Sequence, residues 1–369
     1  MIFYFFTIFI LFVFSLIEIL NLLSPRYLKR CNFFLYLLLV IQVGLRWETG
    51  TDWLPYLNNF LDTVSIDIVL VNSFLGFEIG YGIFVYIIRS VTQDYTLFLL
   101  IHALVYYYLI FKANRQISPF PSLSLLLFYV STMGLLGSNR QLIALAICLY
   151  SLQYVIKRKP IRFFLLILLA FLFHTSALLF FVYYFLNRDF KKQYIFGVLI
   201  FAFIIGKTTI PNLFFSSLGN LIGGASTSKV EIYSEKDSLG DFSLSIVGLI
   251  RRLVYFLVFY LNYDKLSKKL SAYKLIFNGF LFGLVFYFLF SNSLLILVNR
   301  GSIYFNIMEV FLITSLPFLF KIHKDRLIII FILFLYSFYL FFQSISVYSD
   351  LFLPYKGVFI NSEHKRNLY

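Results

Sequence analysis

Charge is scarce in this sequence. Asp, Glu, Lys and Arg make up 13% of its 369 residues against 61% hydrophobic, and the mean hydropathy is +0.87. So little polar surface excludes a water-soluble globular domain and leaves an integral membrane protein. Acidic residues are the scarcer sign, 17 against 31 basic. The basic excess sits in short stretches between apolar runs, where it reads as a topology signal rather than a nucleic-acid surface. Cysteine is nearly missing: Cys31 and Cys148 lack metal-site spacing and read as unpaired structural thiols. Also absent are a Walker-type G-x-x-x-x-G-K-[ST], an H-E-x-x-H, a nucleophile elbow G-x-S-x-G and any Cys/His metal pattern. ATP-driven transport and zinc-protease chemistry lose their usual support, and neither cofactor nor metal is expected.

What the chain has instead is apolar runs near the ~20 residues that cross a bilayer at ~1.5 Å each. They fall at 2–23, 33–45, 77–90, 94–111, 119–135, 140–156, 162–186, 193–206, 242–262, 273–291, 301–320 and 327–345. This predicts an all-α polytopic membrane protein, a single integral membrane domain over 1–369 with about 10–12 transmembrane helices. The first run lacks the basic start and the cleavage site of a secretory signal and is expected to remain as a span. The 49 Phe and 28 Tyr read mainly as lipid-facing packing and interfacial belts.

Basic clusters orient the bundle. Arg26, Lys29 and Arg30, then Lys157, Arg158, Lys159 and Arg162, then Lys265, Lys268, Lys269 and Lys274, then Lys321, Lys324 and Arg326 favour the cytoplasm. Glu48, Asp52, Asp62 and Asp67 then fall outside, as does the longest extracytoplasmic loop, 207–241. Placing Lys112 and Arg115 inside requires that one piece of 77–111 not cross. The 77–90 run, with Glu78 and two glycines, is expected to be re-entrant. Basic clusters also flank both ends of 162–187, which predicts two half-length helices meeting near His174. Broken backbone at membrane depth survives only where protein or a wet cavity satisfies it, so that bend is a candidate site wall.

A charge at a helix centre costs about 2.5 to 3.5 kcal/mol on insertion scales, so the ionisable residues of the spans need a reason. Arg46, Trp47, Glu48, Thr49, Gly50, Thr51, Asp52 and Trp53, followed by Pro55 and Tyr56, set three charges and a glycine at the end of an apolar run. Arg140 follows Gly137, Ser138 and Asn139; Arg251 and Arg252 are adjacent inside a run; Arg300 follows Asn299. The orientation puts Arg46, Arg140 and Arg300 at the outer ends of their helices, with the Arg251 pair about half a membrane deep. A guanidinium is planar, permanently charged and able to hold two phosphate oxygens, which suits a diphosphate leaving group. The competing reading is that each arginine snorkels to headgroups or pairs with a nearby carboxylate. For His174 the alternatives are a proton acceptor for a sugar hydroxyl or a core histidine satisfied by a carbonyl.

Three segments together resemble the EpsG family of Wzy-like polysaccharide polymerases. They are 46–56 with its Gly50-Thr51-Asp52 core, Arg140-Gln141 leading into 142–147, and 170–178 with His174-Thr175-Ser176. Asn299-Arg300 with Tyr304-Phe305, and Pro354-Tyr355-Lys356, are weaker similarities; Trp53 stands where Tyr is the commoner residue. The resemblance implies a GT-C-like bundle with short re-entrant or half-length helices. It also implies a glycosyltransferase that joins polyprenyl-diphosphate-linked oligosaccharide repeat units on the outer face of the bacterial cytoplasmic (inner) membrane. The product would be capsule, exopolysaccharide or O-antigen. Lipid-linked donor and acceptor, membrane lipids, and chain-length regulator and flippase proteins are the implied partners. Arg46, Arg140 and Arg300 would hold the departing diphosphate with Arg251 or Arg252 in support. His174 or Asp52 would orient or deprotonate the acceptor, and Glu48 and Tyr56 would contact substrate. A lipid-linked oligosaccharide flippase or other transporter, an O-antigen ligase and an O-acetyltransferase are the alternatives. Inverted repeats would favour a transporter, and the Arg-bearing segments have unrelated neighbours.

Overall fold

The computed structural model describes residues 1–74, 76–213, 246–292, 298 and 301–361. Among them the regular structure is helical, apart from the isolated antiparallel bridges Arg46↔Gly357 and Gly357↔Ile360. The protein is an all-α polytopic membrane protein, the architecture that lets every backbone polar group in a lipid core find a partner within its own segment. Among the described residues five helices are long and apolar enough to cross a membrane: Ile2–Ile19, Arg26–Gly44, Tyr95–Ile117, Tyr273–Phe290 and His323–Leu351. Ile246–Leu261 with Tyr263–Lys269, bent by 70°, makes a sixth if the pair is one broken span.

The remaining apolar runs fold as helices of 10–17 residues, among them Ile79–Arg89, Pro121–Ser131, Pro160–Phe171, Thr175–Leu186 and Lys192–Gly206. Hydropathy counts apolar residues without seeing where the N–H ladder ends, so it overcounts full crossings. Ile79–Arg89, 11 residues, is about 16 Å long, roughly half the ~30 Å hydrocarbon core. That length agrees with a 77–90 run that does not cross. The expected 301–320 span is likewise divided, into Ile303–Asn306, Met308–Ile313 and a 3-10 turn at Leu316–Leu319.

Contacts divide the chain into two compact units, Met1–Leu178 with Ile313–Tyr369, and Leu179–Leu312. The first holds α1 (Ile2–Ile19), α2 (Pro25–Gly44), α3 (Trp53–Asp62), α4 (Ile66–Phe74), α5 (Ile79–Arg89), α6 (Tyr95–Ile117), α7 (Pro121–Ser131), α8 (Asn139–Ile156) and α9 (Pro160–Phe171). It closes with the helix His323–Ile345 and the strap 352–361. Helix α8 is its centre, packed on α6 and α9, with Ala144, Ala146, Leu145, Leu149 and Leu152 buried. The small residues let neighbouring backbones approach closely. Proline opens α7 and α9 in their first turn, where a missing N–H costs nothing. Short α3 buries Trp53, Tyr56, Leu57 and Phe60 in a cluster with Tyr81, Val85, Tyr95 and Phe98, which fixes α3 on α5 and α6. Phe33, Ile41, Leu165, Phe331 and Leu335 stay exposed, as lipid-facing positions would.

In the second unit, the helix Tyr273–Phe290 packs on Lys192–Gly206 and on Tyr183–Leu186. Asn278 Nδ2 donates to Leu186 O at 2.7 Å and Arg188 O at 2.8 Å, and Tyr183 OH donates to Tyr304 O at 2.9 Å. Ion pairs Lys192–Asp264 and Lys274–Asp189 lie at one end of it. Most of the expected 207–241 loop, residues 214–241, lies outside the described residues.

The turn at 46–52 depends on two glycines. Gly50 (φ +86°) and Gly137 (φ +108°) lie against each other in left-handed backbone, and a Cβ on Gly50 would fall inside the contact radius of Leu136 O. Gly50→Ala is therefore expected to destabilise the protein by about 1–3 kcal/mol, read as a lowered melting temperature in detergent.

Candidate functional site

Arg140 opens α8 and gathers its partners from sequence-distant stretches. Its Nε donates to Tyr56 OH at 3.1 Å, and its Nη1 donates to Gly76 O at 3.0 Å and to Glu78 Oε2 at 2.6 Å. The guanidinium also stacks 4.6 Å from the Phe77 ring centroid. Glu78 stands at the N-terminal end of α5, where the helix dipole favours a negative charge, and its side chain makes no capping bond there. Its side chain is 9% exposed and that of Arg140 is 23% exposed, so the open side of the pair belongs to the arginine.

The same carboxylate reaches a third stretch. Helix α9 stops at Phe171, and a 3-10 helix begins at Thr175, with His174 in the break. The orphan Leu172 carbonyl accepts from Gly80 N at 2.8 Å and Tyr81 N at 3.3 Å, so the end of one short helix satisfies the start of another. Glu78 Oε1 accepts from Thr175 N at 3.2 Å. His174 is half-buried, its Nδ1 2.6 Å from Ser176 Oγ. Arg140, Tyr56, Glu78 and the His174 turn thus form one connected cluster, and Asp52 sits at the head of the helix that carries Tyr56.

Arg46 lies elsewhere. It is 2% exposed, with Nη1 donating to Val43 O at 2.5 Å and Nη2 to Asn139 Oδ1 at 2.6 Å. Among the described residues no carboxylate pairs with it. Burial pulls its pKa below the ordinary guanidinium value, while surrounding tyrosines, Tyr95 foremost, oppose that shift. The strap closes over this segment: Trp47 N donates to Lys356 O and Val358 N to Leu45 O, both at 3.0 Å. Glu48 turns toward the strap, 3.6 Å from Lys356 Nζ. Burial also pushes the strap's Tyr355 up to about 12, Arg46 pulling against it. Arg46 is therefore enclosed behind Asn139, one residue from Arg140, whereas Arg140 is partly open.

With this geometry in view, a family model described as the EpsG family matches residues 29–357. The chain belongs to the EpsG family. That is a Wzy-like polymerase family, and the match spans the Arg46, Arg140 and His174 segments alike. No curated protein and no solved structure matches this EpsG-family chain.

In the second unit Arg252 Nε donates to Glu309 Oε1 at 2.8 Å and Arg251 Nη2 to Glu309 Oε2 at 3.3 Å. Two guanidinium groups thus share one carboxylate. Arg300, with Asn299, lies outside the described residues. Sequence reasoning did not assign a site role to Glu78 or weigh Glu309. The available signal was the cost of a lone acid in an apolar run, which implies a basic partner without naming it. Among the described residues no three His, Cys, Asp or Glu side chains gather as metal ligands.

Asn139 joins the enclosed arginine to the site: its carbonyl meets His102 Nε2 at 2.9 Å while its side chain holds Arg46. Asn139→Ala leaves a buried charged donor without its acceptor. A loss of about 1–3 kcal/mol is expected, measured by thermal unfolding of the purified protein.

Proposed function

We propose that the protein is a Wzy-type glycosyltransferase that polymerises polyprenyl-diphosphate-linked oligosaccharide repeat units at the outer face of the bacterial cytoplasmic membrane, building capsule, exopolysaccharide or O-antigen. The observation that carries this reading is the Arg140 cluster. A partly open guanidinium is clamped on its Nε and Nη1 side by Tyr56, Gly76 and Glu78, and Glu78 ties it to the turn that bears His174. Among the described residues Arg140 Nη2 donates no hydrogen bond, so the clamp presents a fixed, charged N–H edge.

In the proposed reaction the donor sugar's C1–O bond to its diphosphate breaks and the electron pair leaves on the phosphate oxygen. Arg140 stabilises that developing charge, as preorganised donors do where charge appears in a transition state. Arg46 adds the field of a buried positive charge from behind Asn139. A hydroxyl of the next lipid-linked unit attacks C1 and forms the new glycosidic bond. Its proton passes to His174, oriented by the Nδ1 contact to Ser176, or to Asp52. Tyr56 and Glu48 are assigned to substrate contact, Tyr56 beside Arg140 and Glu48 at the strap beside Lys356. In the other unit Arg251 and Arg252, which both hold Glu309, are assigned to an anionic headgroup.

The test is turnover of purified protein with its own lipid-linked repeat unit, with and without a chelator. Arg140→Lys keeps the charge and loses the planar fork, and chain elongation is expected to fall by about 100-fold with normal membrane insertion. Wild-type chain length from that variant removes the diphosphate role. His174→Ala is expected to lower turnover by about 10²–10⁴-fold if it takes the proton; unchanged polymer returns it to a structural role. In cells, a deletion that still exports single repeat units but makes no long chains marks a polymerase. Accumulation of lipid-linked units on the cytoplasmic face marks a flippase instead.

A further inference from the structure

Among the described residues Glu78 is the carboxylate that pairs with Arg140, and both its oxygens are committed. Oε2 holds Arg140 Nη1 and Oε1 holds the Thr175 amide, linking positions 62 and 97 residues away in sequence. Nearby, Gly80 N and Tyr81 N hold Leu172 O independently of this carboxylate. The chain is therefore fixed at Leu172, and His174 keeps backbone bonds of its own, N to Ala170 O at 2.9 Å and O from Ala177 N at 3.0 Å, so that what the Glu78 carboxylate holds is the Thr175 amide. His174 lies between those two anchors.

An anion that engages the open Nη2 edge of Arg140 shares the guanidinium charge with Glu78 and repels its carboxylate, while Tyr56 and Gly76 keep the guanidinium in place. Oε2 then withdraws from Nη1, and because the carboxylate moves as a rigid group, Oε1 withdraws from the Thr175 amide. We propose that Glu78 is a positioning residue that transmits occupancy of Arg140 to the His174 turn, so that this turn is released only when a diphosphate is in place. This rests on reading Arg140 as the diphosphate contact. Its consequence is an order of events: the donor's leaving group docks first, and the acceptor-side histidine gains freedom to adjust afterwards. Such gating protects the donor from premature attack by water.

The experiment is hydrogen–deuterium exchange of the full-length protein in lipid nanodiscs, with inorganic pyrophosphate as the probe and calorimetry to establish its binding. In wild type, exchange of the Thr175 amide is expected to rise on the order of fivefold or more when pyrophosphate is bound. Arg140→Gln is expected to abolish binding and response together, which places the probe at Arg140. In Glu78→Gln the amide oxygen still accepts from Thr175 but carries no charge for the anion to repel. Pyrophosphate is expected to bind while Thr175 exchange no longer responds. Glu78→Asp is one methylene shorter and does not span both partners, so its response is expected to be lost as well.

Bound pyrophosphate with a silent Thr175 amide in wild type, or a response that persists in Glu78→Gln, overturns the role of Glu78 alone. No binding to wild type, or binding indifferent to Arg140→Gln, overturns the reading of Arg140 and the relay with it. If neither Glu78 variant folds, the wild-type response decides.

Discussion

A helix that ends inside an apolar bundle must deliver its last carbonyls to some donor, and the site depends on how this chain meets that constraint. Helix α9 ends half-way through a run that hydropathy reads as a full span, and its orphan Leu172 carbonyl meets the first free amides of α5. Joining two short helices end to start satisfies both without water. It also brings the cap residue of α5, Glu78, beside the break that holds His174. The chemistry-bearing residues converge because the backbone has to be satisfied there.

The second constraint is the buried charge of Arg46. Its guanidinium is enclosed with backbone and amide oxygens and tyrosines instead of a carboxylate. Such a charge costs several kcal/mol to desolvate, and it persists where neighbouring dipoles are fixed around it. Here they are: Asn139 is held from the other side by His102, and the strap pins residues 45 and 47. The start of α8 is thereby fixed one residue before Arg140. In such a bundle an arginine can serve a site without touching its ligand, by setting the position and the potential of one that does.

Much of this was legible in the sequence. The break near His174 followed from basic clusters flanking both ends of a single run, and counting sides singled out 77–90, where the helix Ile79–Arg89 is only 11 residues long. The 46–56, 140–147 and 170–178 segments carried the family resemblance that the family match repeats. Two things were not legible. Hydropathy reports apolar content and not ladder length, so several half-length helices looked like full spans. Nor can spacing say which way a side chain turns: Arg46 and Arg140 look equivalent at the ends of their helices, yet one is enclosed and the other partly open. Glu78 read only as an acid in a run unsuited to crossing, because its partners lie 62 and 97 residues away.

Stability gives little reason for the Arg140–Glu78 pair. A half-buried ion pair gains in attraction roughly what it loses in desolvation, and well-packed apolar residues of similar volume often match or exceed it. What such residues do not supply is a direction. Tyr56, Gly76 and Glu78 occupy the Nε and Nη1 side of the guanidinium, leaving its remaining edge aimed, and the second oxygen of Glu78 carries that geometry to Thr175. A merely structural pair would need only one oxygen of its carboxylate and would be served as well by a closed arginine as by an open one. The 23% exposure of Arg140 against the 9% of Glu78 makes this an arginine held ready on one side, with its counter-charge kept behind it.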